Sequence, residues 1–272
     1  MSIEIHPTAI VDKNAELGND VKIGPFCVVD GKTTIGDGTI LRPFSRVCEY
    51  TILGKECVIY EHAVIGGAPQ DLSYKGEETW AVLDNKVVCR EYVTINRATG
   101  EGQKTTVGEG TFIMENVHLA HNVQVGKYCT IANKSGISGH VHVGDYVVIG
   151  GMTGFHQFVH IGSYCMIGGL SRITQDVPPY ALSAGIPLRV YDINRVGLRR
   201  RGFDTKRRQK IRGFYKLIYN SGLTVTNALK QLEADYGSDE DARLLLDFAA
   251  GCTRGLTPRI TREEKRKEAE FN

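Results

Sequence analysis

Val117-His118-Leu119-Ala120-His121-Asn122-Val123 lies within a longer run, Val107 to Val177, that beats in sixes. From Val107, the residues Ile113, Leu119, Val125, Ile131, Ile137, Val143, Ile149, Phe155, Ile161, Ile167 and Ile173 follow at six-residue intervals, and all but Phe155 are aliphatic. The beat reaches back to the amino terminus, where Ile5, Val11, Leu17, Ile23, Val29, Ile35, Leu41, Val47, Leu53, Ile59 and Ile65 are aliphatic without exception. Four residues after each anchor stands a second small or β-branched residue, such as Ala9, Val21, Thr33, Ser45 or Cys57. Apolar residues of an amphipathic helix return at 3.6 positions and those of a half-buried strand at 2, so a period of six marks neither. It marks a parallel β-helix in which each hexad is a short strand and a turn, and three hexads, about eighteen residues, close one triangular coil. The anchor and the residue four later point inward, and Gly, Asp and Asn are expected at corners that need a permissive backbone.

The beat is uninterrupted from Met1 to Gly66. It breaks at Gly67-Ala68-Pro69-Gln70-Asp71-Leu72-Ser73-Tyr74-Lys75-Gly76, resumes around Val87 and Val93 in what reads as a shifted phase, and breaks again from Asn96 to Thr106. Insertions in such a scaffold emerge as loops, often on the binding face. The expected organisation is a β-helix over 1–190 with insertion loops near 67–86 and 96–106, an α-helical domain over 191–258, and a charged, solvated tail over 259–272. In the helical part, Asp192, Asp204, Thr224 and Ser238 are candidate caps, and Gly202, Gly222, Gly237 and Gly251 candidate stops. Cys27, Cys57, Cys129 and Cys165 share the fifth hexad position and read as interior filler. Cys48, Cys89 and Cys252 lack metal-ligand spacing. No secretory leader or long apolar span is present in the sequence, so a reducing cytoplasm and no stable membrane anchor are expected.

Charge is concentrated. Arg195 to Lys216 holds ten basic residues and one acid, Asp204, a net +9 in a chain whose total is +2. Such a run is either a solvated face or a site for a polyanion, whether phosphate, nucleic acid or an acidic carrier protein. Guanidinium forks at Arg199-Arg200-Arg201 suit phosphate. The absence of a recognised nucleic-acid module and the sparse aromatic interleaving argue against nucleic acid. In an eighteen-residue coil His121 lies under Gly139, and Gly139 under Gln157, so His121, His140, His156 and Gln157 line one edge. Several polar groups in one column indicate a site rather than a lone satisfied histidine. His142 and His160 stack on each other and read as structural. Zinc would suit three histidines, but the pairs His118/His121, His140/His142 and His156/His160 do not match the ligand spacing of the β-helix carbonic anhydrases, so no metal is expected.

Taken in order, the hexads, Pro69-Gln70-Asp71-Leu72, His118-Leu119-Ala120-His121, Gly139-His140, Phe155-His156-Gln157-Phe158, Gln175-Asp176-Val177-Pro178-Pro179-Tyr180 and Asn194-Arg195-Val196-Gly197-Leu198-Arg199-Arg200-Arg201-Gly202-Phe203 resemble the acyl-carrier-protein-dependent UDP-N-acetylglucosamine O-acyltransferases, which open lipid A synthesis. The resemblance runs from about Ile5 to Gly251. It implies a left-handed parallel β-helix with a carboxy-terminal α-helical domain, assembled as a homotrimer with active sites between neighbouring β-helices. It further implies His121 as general base and the Gly139 N–H as oxyanion donor, with Gln70, Asp71 and His118 on the sugar. His140, Gln157 and Arg200 match groups near the acyl chain or the diphosphate, Asn194 and Arg201 match nucleotide contacts, Gly169 matches the acyl-chain ruler, and His156, in the same column, is a further substrate-binding candidate. An acidic acyl carrier protein would dock on the +9 segment and deliver the chain on its phosphopantetheine, with no separate cofactor.

The sequence departs from better-known relatives at three places. Asn122 stands where they carry Asp, and can orient the imidazole without stabilising its charged form. Ser73 stands in place of Lys, and Val196 in place of a polar nucleotide contact. Gly169 leaves the ruler position open, which implies a long 3-hydroxyacyl chain, near fourteen carbons. Two other readings stay open: an N-acyltransferase acting on a 3-amino UDP-sugar, and a non-catalytic trimeric scaffold.

Overall fold

Each hexad folds as a two-residue strand followed by a tight corner in this computed structural model, which describes residues 2–264 and Arg266. Successive strands fall on three faces of a prism. The first face holds eleven strands, from Glu4–Ile5 to Arg189–Ile193. The second holds nine, from Ile10–Val11 to Arg172–Ile173, and the third eight, from Glu16–Leu17 to His160–Ile161. Coil pairs with coil in parallel at a stagger of eighteen, as in Leu119 with Ile137 and Val125 with Val143. The chain is a left-handed parallel β-helix. The anchors form its interior: Ile35, Leu53, Leu119 and Ile149 are essentially inaccessible, as are the four-later residues Val21, Cys57, Val117 and Cys165. Each buried aliphatic side chain contributes about 1.5–3 kcal/mol, enough in aggregate to order strands too short to persist alone.

The insertions do not shift the phase. Leu53 pairs with Leu83 and Leu83 with Val107, so the two interruptions add twelve and six residues to an eighteen-residue coil. Because both are multiples of six, Leu83, Cys89 and Ile95 remain anchors, and Val87 and Val93 are the inward residues four places on. The excursions are also shorter than expected, because Trp80–Leu83 and Lys104–Val107 are already back on the third face.

The corners differ from expectation too. The left-handed residue three places after an anchor is mostly not glycine: Phe26, Phe44, His62, Tyr92, Tyr128, His140, Tyr146, Phe158 and Tyr164 all have φ between 53° and 64°. A non-glycine residue there costs about 1–2 kcal/mol. Two interactions offset it. The N–H of the left-handed residue donates to the previous coil, as Tyr146 N does to Lys127 O at 2.8 Å. The side chains then stack at coil spacing, Phe26 on Phe44 at 5.0 Å and Tyr128 on Tyr146 at 5.3 Å. Glycines instead serve close approach. A Cβ on Gly36 or Gly126 would stand 2.6 to 2.7 Å from the backbone of Gly54 or Gly144 in the next coil.

The two ends of the prism are unlike. In the first coil Ile5 is 44% exposed and Ile10 68%. The last coil is covered by the antiparallel hairpin Ala181–Ala184 with Arg189–Ile193 and by four helices: α1 (Arg195–Arg200), α2 (Thr205–Asn220), α3 (Val225–Tyr236) and α4 (Glu240–Ala250). Asp204 and Thr224 cap α2 and α3 as the sequence indicates. At the other two starts a neighbour takes the part. Asn194, not Asp192, caps α1 by accepting from Gly197 N at 3.0 Å, and Asp239, not Ser238, caps α4 by accepting from Asp241 N and Ala242 N. The fully buried Asp241 accepts from Tyr180 Oη at 2.9 Å and Arg207 Nη2 at 2.8 Å, and pairs with Lys210, tying α4 and α2 to the β-helix. The start of the charged tail is not free: Ile260 N donates to Val190 O, and Glu264 pairs with Arg189 at 2.9 Å. The rest of that tail, apart from Arg266, lies outside the described residues. Among the described residues no helix is long and apolar enough to cross a membrane.

Candidate active site

His121 follows the strand His118–Leu119 at the edge between the second and third faces, two places after its anchor. Its side chain is 14% exposed. Nδ1 lies 2.9 Å from Asn122 Oδ1. Which way the Asn122 amide points is settled by the second insertion loop: Thr99 N donates to Oδ1 at 3.0 Å, and Nδ2 donates to Thr99 O at 3.1 Å. A flipped amide would set N–H against N–H and oxygen against oxygen. With Oδ1 fixed as acceptor and the Thr99 hydroxyl also donating to it at 3.0 Å, Nδ1 of His121 must carry the proton. The lone pair then belongs to Nε2, on the open side. This is the tautomer of a general base.

The first insertion loop closes on the same atom. Asp71 Oδ2 lies 3.7 Å from His121 Nε2, while Oδ1 accepts from Ser73 N and Ser73 Oγ, both at 2.8 Å. Those two hydrogen bonds, with smaller help from His121 and His140, hold the Asp71 carboxyl below the usual carboxylate range. The loop is itself clasped by Arg97, a buried guanidinium that donates to Gly66 O at 3.2 Å and to Tyr74 Oη at 3.2 Å. Both interruptions of the hexad beat therefore serve His121.

Gly139 lies directly above. A Cβ placed there would stand 2.6 Å from both Cε1 and Nε2 of His121, so the ring packs flush against the glycine backbone. Its N–H has no hydrogen-bond partner among the described residues. At the edge between the third and first faces four of the equivalent N–H groups are capped by side chains one coil on: Asn19 by Asp37, Lys55 by Asn85, Lys127 by Asp145 and Asp145 by Ser163. On the His121 edge the N–H two places after an anchor is commonly uncapped among the described residues, at Lys13, Gly31, Glu49 and Gln157 too, and the Gly139 N–H is distinguished by lying beside an imidazole lone pair. It offers a donor to developing negative charge next to a base.

Around this pair, His140 sits edge-on to His121 at 5.2 Å and stacks on Phe158 at 4.7 Å, and burial followed by the His121 charge pushes its imidazole down. His118, half buried on the second face, meets Thr94 Oγ1 through Nδ1 at 2.7 Å, and burial lowers it too. Gln70 is exposed in the first loop; His156 and Gln157 are exposed one coil above Gly139, with His156 Nδ1 3.0 Å from Gln157 O. His142 and His160 stack ring on ring at 4.8 Å on the third face, away from the column. Among the described residues no group of three or more His, Cys, Asp or Glu is arranged to hold a metal ion.

The carboxy-terminal residues lie elsewhere. Arg200 lines a cavity of about 500 Å³ with Val148, Met166 and Leu182, which are on the first face, opposite the His121 edge. Arg201 stacks on Tyr146 at 4.3 Å. Asn194 spends its amide on the α1 cap and on Tyr164 O at 2.9 Å. Val196 is exposed at the cavity rim, and Gly169 is at the edge between first and second faces, where a Cβ would meet Gly151 O at 3.2 Å. Within a single chain none of these reaches the His121 column. Thr99 and Arg97 were not anticipated as site residues, because the broken beat between Asn96 and Thr106 carries no periodic signal for placing them.

Residues 176–257 match the profile of the second domain of UDP-N-acetylglucosamine O-acyltransferases, and residues 104–139 the bacterial transferase hexapeptide repeat. The acyl-[acyl-carrier-protein]–UDP-N-acetylglucosamine O-acyltransferase of Leptothrix cholodnii is 44% identical over 260 residues, covering 93% of this chain and 98% of that relative. The enzyme of the same name from Thermodesulfovibrio yellowstonii is 38% identical over 93% of the chain and 98% of its own length. Among solved structures, the UDP-N-acetylglucosamine acyltransferase of Francisella novicida superposes with a TM-score of 0.92 at 31% identity over 96% of both chains. That of Bacteroides fragilis gives 0.90 at 36% identity over 93% of this chain and 99% of its own.

Proposed function

Because this chain belongs to the family of acyl-[acyl-carrier-protein]–UDP-N-acetylglucosamine O-acyltransferases, and is therefore an acyltransferase, we propose that it moves a 3-hydroxyacyl chain from acyl carrier protein to the 3-hydroxyl of UDP-N-acetylglucosamine, the first step of lipid A biosynthesis. The observation that carries the reading is the Nε2 lone pair of His121, exposed by the Asn122–Thr99 clamp, beside an unclaimed Gly139 N–H. As the sugar hydroxyl attacks the thioester carbonyl, Nε2 takes its proton and the carbonyl oxygen, now negative, accepts from Gly139 N–H. The tetrahedral intermediate collapses by breaking the C–S bond, and the departing thiolate of the phosphopantetheine receives the proton from the imidazolium. An ester and a free thiol result, with no cofactor consumed.

In this reading Gln70, Asp71 and His118 hold the sugar, and His140, His156 and Gln157 line the way to acyl chain and diphosphate. Asn194, Arg200 and Arg201, on the side of the prism opposite His121, reach such a ligand only from a neighbouring copy. That separation supports a homotrimer with sites between chains. The basic helical segment supports an acidic carrier-protein partner, although Arg207, Lys210 and Arg212 are spent on acids of the same chain. The seven cysteines are free, which suits a reducing cytoplasm.

The test is acyl transfer from 3-hydroxymyristoyl carrier protein to UDP-N-acetylglucosamine, wild type beside His121→Ala, with the 3-amino sugar nucleotide in parallel. Turnover of the hydroxyl acceptor that is lost in the variant is expected. Transfer to the amine alone would overturn the acceptor assignment, and full activity in His121→Ala would overturn the base.

A further inference from the structure

The three consecutive arginines of α1 do not form one patch, because helical spacing fans them apart: Arg201 goes to Tyr146, Arg200 to the cavity on the first face, and Arg199 to a third place. There it joins Arg195, one turn earlier on α1, across a groove from Arg208 and Arg212, one turn apart on α2. With Thr205 and Gln209 these four arginines enclose a cavity of about 330 Å³ walled by Ile193 and Val196.

No acid lines this cavity. Among the described residues, Arg212 alone of the four reaches a carboxylate, Asp192 at 3.2 Å, and Arg208 Nη2 donates only to the neutral Thr205 Oγ1 at 3.0 Å. Two other cations of α2 do meet acids: Arg207 meets Asp241, and Lys210 meets Asp239 and Asp241. Like charges one turn apart on a helix destabilise it, so four arginines around one groove, with Asp192 the single acid paired among them, leave an excess of positive charge that an anion would offset. Planar forks with several N–H donors match phosphate oxygens two at a time, and the hydroxyl of Thr205 and the amide of Gln209 add neutral donors.

We propose that the groove between α1 and α2 is a phosphate-binding site, separate from the His121 column; phosphate binding there stands without the transfer reading, and only the choice of its source rests on that reading. Its ligand is a phosphate mono- or diester: either the phosphodiester of a phosphopantetheine arm or the phosphate of a free small molecule.

The probe is inorganic phosphate, titrated into the full chain at constant ionic strength and followed by calorimetry, with Arg195→Gln/Arg208→Gln beside wild type. Saturable binding at one site per chain is expected, weakened about 10- to 100-fold in the double variant, the loss anticipated for two charge-assisted contacts. Thermal melts show whether the variant is folded; removing like charges should leave its Tm unchanged or raised. Equal affinity in a folded double variant, or wild-type binding that chloride abolishes at matched ionic strength, overturns the site. The source is read from transfer kinetics. If the phosphodiester of the donor sits here, the variant raises KM for acyl carrier protein but not for acyl-pantetheine, which lacks the phosphate, and inorganic phosphate competes with the carrier donor. If a free phosphate compound sits here, phosphate binding is lost in the variant and inorganic phosphate does not compete with the carrier donor. Failure of the transfer reading would leave the phosphate isotherm intact, and the converse holds too.

Discussion

Adding one carbon at Gly139 tests the packing on which the proposed chemistry depends. In Gly139→Ala the new Cβ would stand 2.6 Å from Cε1 and Nε2 of His121 and 3.2 Å from Nδ1. Non-bonded carbons settle at about 3.5–4.0 Å, so the ring or the coil must yield by about 1 Å. The backbone at Gly139 is not in the left-handed region, so alanine adds no conformational strain of its own. Nor can the ring retreat easily. Asn122 holds Nδ1, His140 packs edge-on at 5.2 Å, and Asp71 stands beyond Nε2. A misplacement of about 1 Å in a base costs about a hundredfold in rate, whereas overpacking costs stability about 1–3 kcal/mol, less about 0.4–1 kcal/mol regained from the stiffer unfolded chain. The assay is kcat/KM for acyl transfer in a double-mutant cycle with His121→Ala. In the wild-type background the expected loss is about a hundredfold; in the His121→Ala background the obstructed ring is gone, and the same substitution should cost no more than about threefold. A penalty of equal size in both backgrounds would refute the idea that the glycine acts by making room for the imidazole.

Asn122→Asp replaces a neutral acceptor with a carboxylate beside Nδ1. A negative charge favours the protonated ring, so the base form appears only at higher pH, and the acidic limb of the kcat/KM profile should move up while the plateau survives; a null or downward shift contradicts the proposed tautomer clamp. Gly169→Met should shorten the preferred acyl chain in a competition among donors of different length, and an unchanged preference removes Gly169 from chain selection. Asp241→Ala leaves Arg207 and Lys210 facing an apolar gap and should cost about 2–3 kcal/mol, a buried-pair loss discounted for two partly exposed cations, read as a fall in Tm. Burial opposes ionisation of Asp241, but hydrogen bonds from Arg207, Tyr180 and Lys210 prevail and hold its carboxyl below the usual range. Its stabilising contribution is therefore complete above the unfolded carboxylate pKa and disappears as pH falls through the lower folded value, so the Tm gap between wild type and variant should narrow only in strong acid.

The β-helix is legible because its rule is periodic, and the same rule sets His121 beneath Gly139. Even the continued phase through the insertions was present in the sequence, since Leu83 stands eighteen places after Ile65; Val87 and Val93, being conspicuous, were read as anchors instead. What the period could not supply was anything held by irregular chain. Asp71 meets Nε2 and Thr99 clamps Asn122 through loops joined by Arg97, with its partners Gly66 and Tyr74, and by Asn96 Nδ2, which donates to Ala68 O at 2.9 Å. The corners were misjudged for a related reason: the tolerance of glycine for positive φ is a property of one residue, whereas the stacks that stabilise Phe44 or Tyr146 there belong to neighbouring coils. At the starts of α1 and α4 two polar residues within two places of each other compete for the cap, and the sequence alone does not say which one has its side chain over the first turn. The net charge from Arg195 to Lys216 was plain, but its division between internal pairs and a convergent groove follows from how α4 packs against α2.

The unequal ends of the prism give the molecule a direction in which to come apart. A stack whose members touch only their immediate neighbours opens from whichever end is least protected, and here that end is the first coil, with Ile3, Ile5 and Ile10 exposed. His121 and Gly139 follow the sixth and seventh strands of the nine on the second face, much nearer the end sealed by Tyr180, Tyr215 and the helices. Fraying that starts at the amino terminus must pass five coils before it loosens the imidazole, so the outermost turns act as sacrificial material, absorbing thermal wear in advance of the place where chemistry is done.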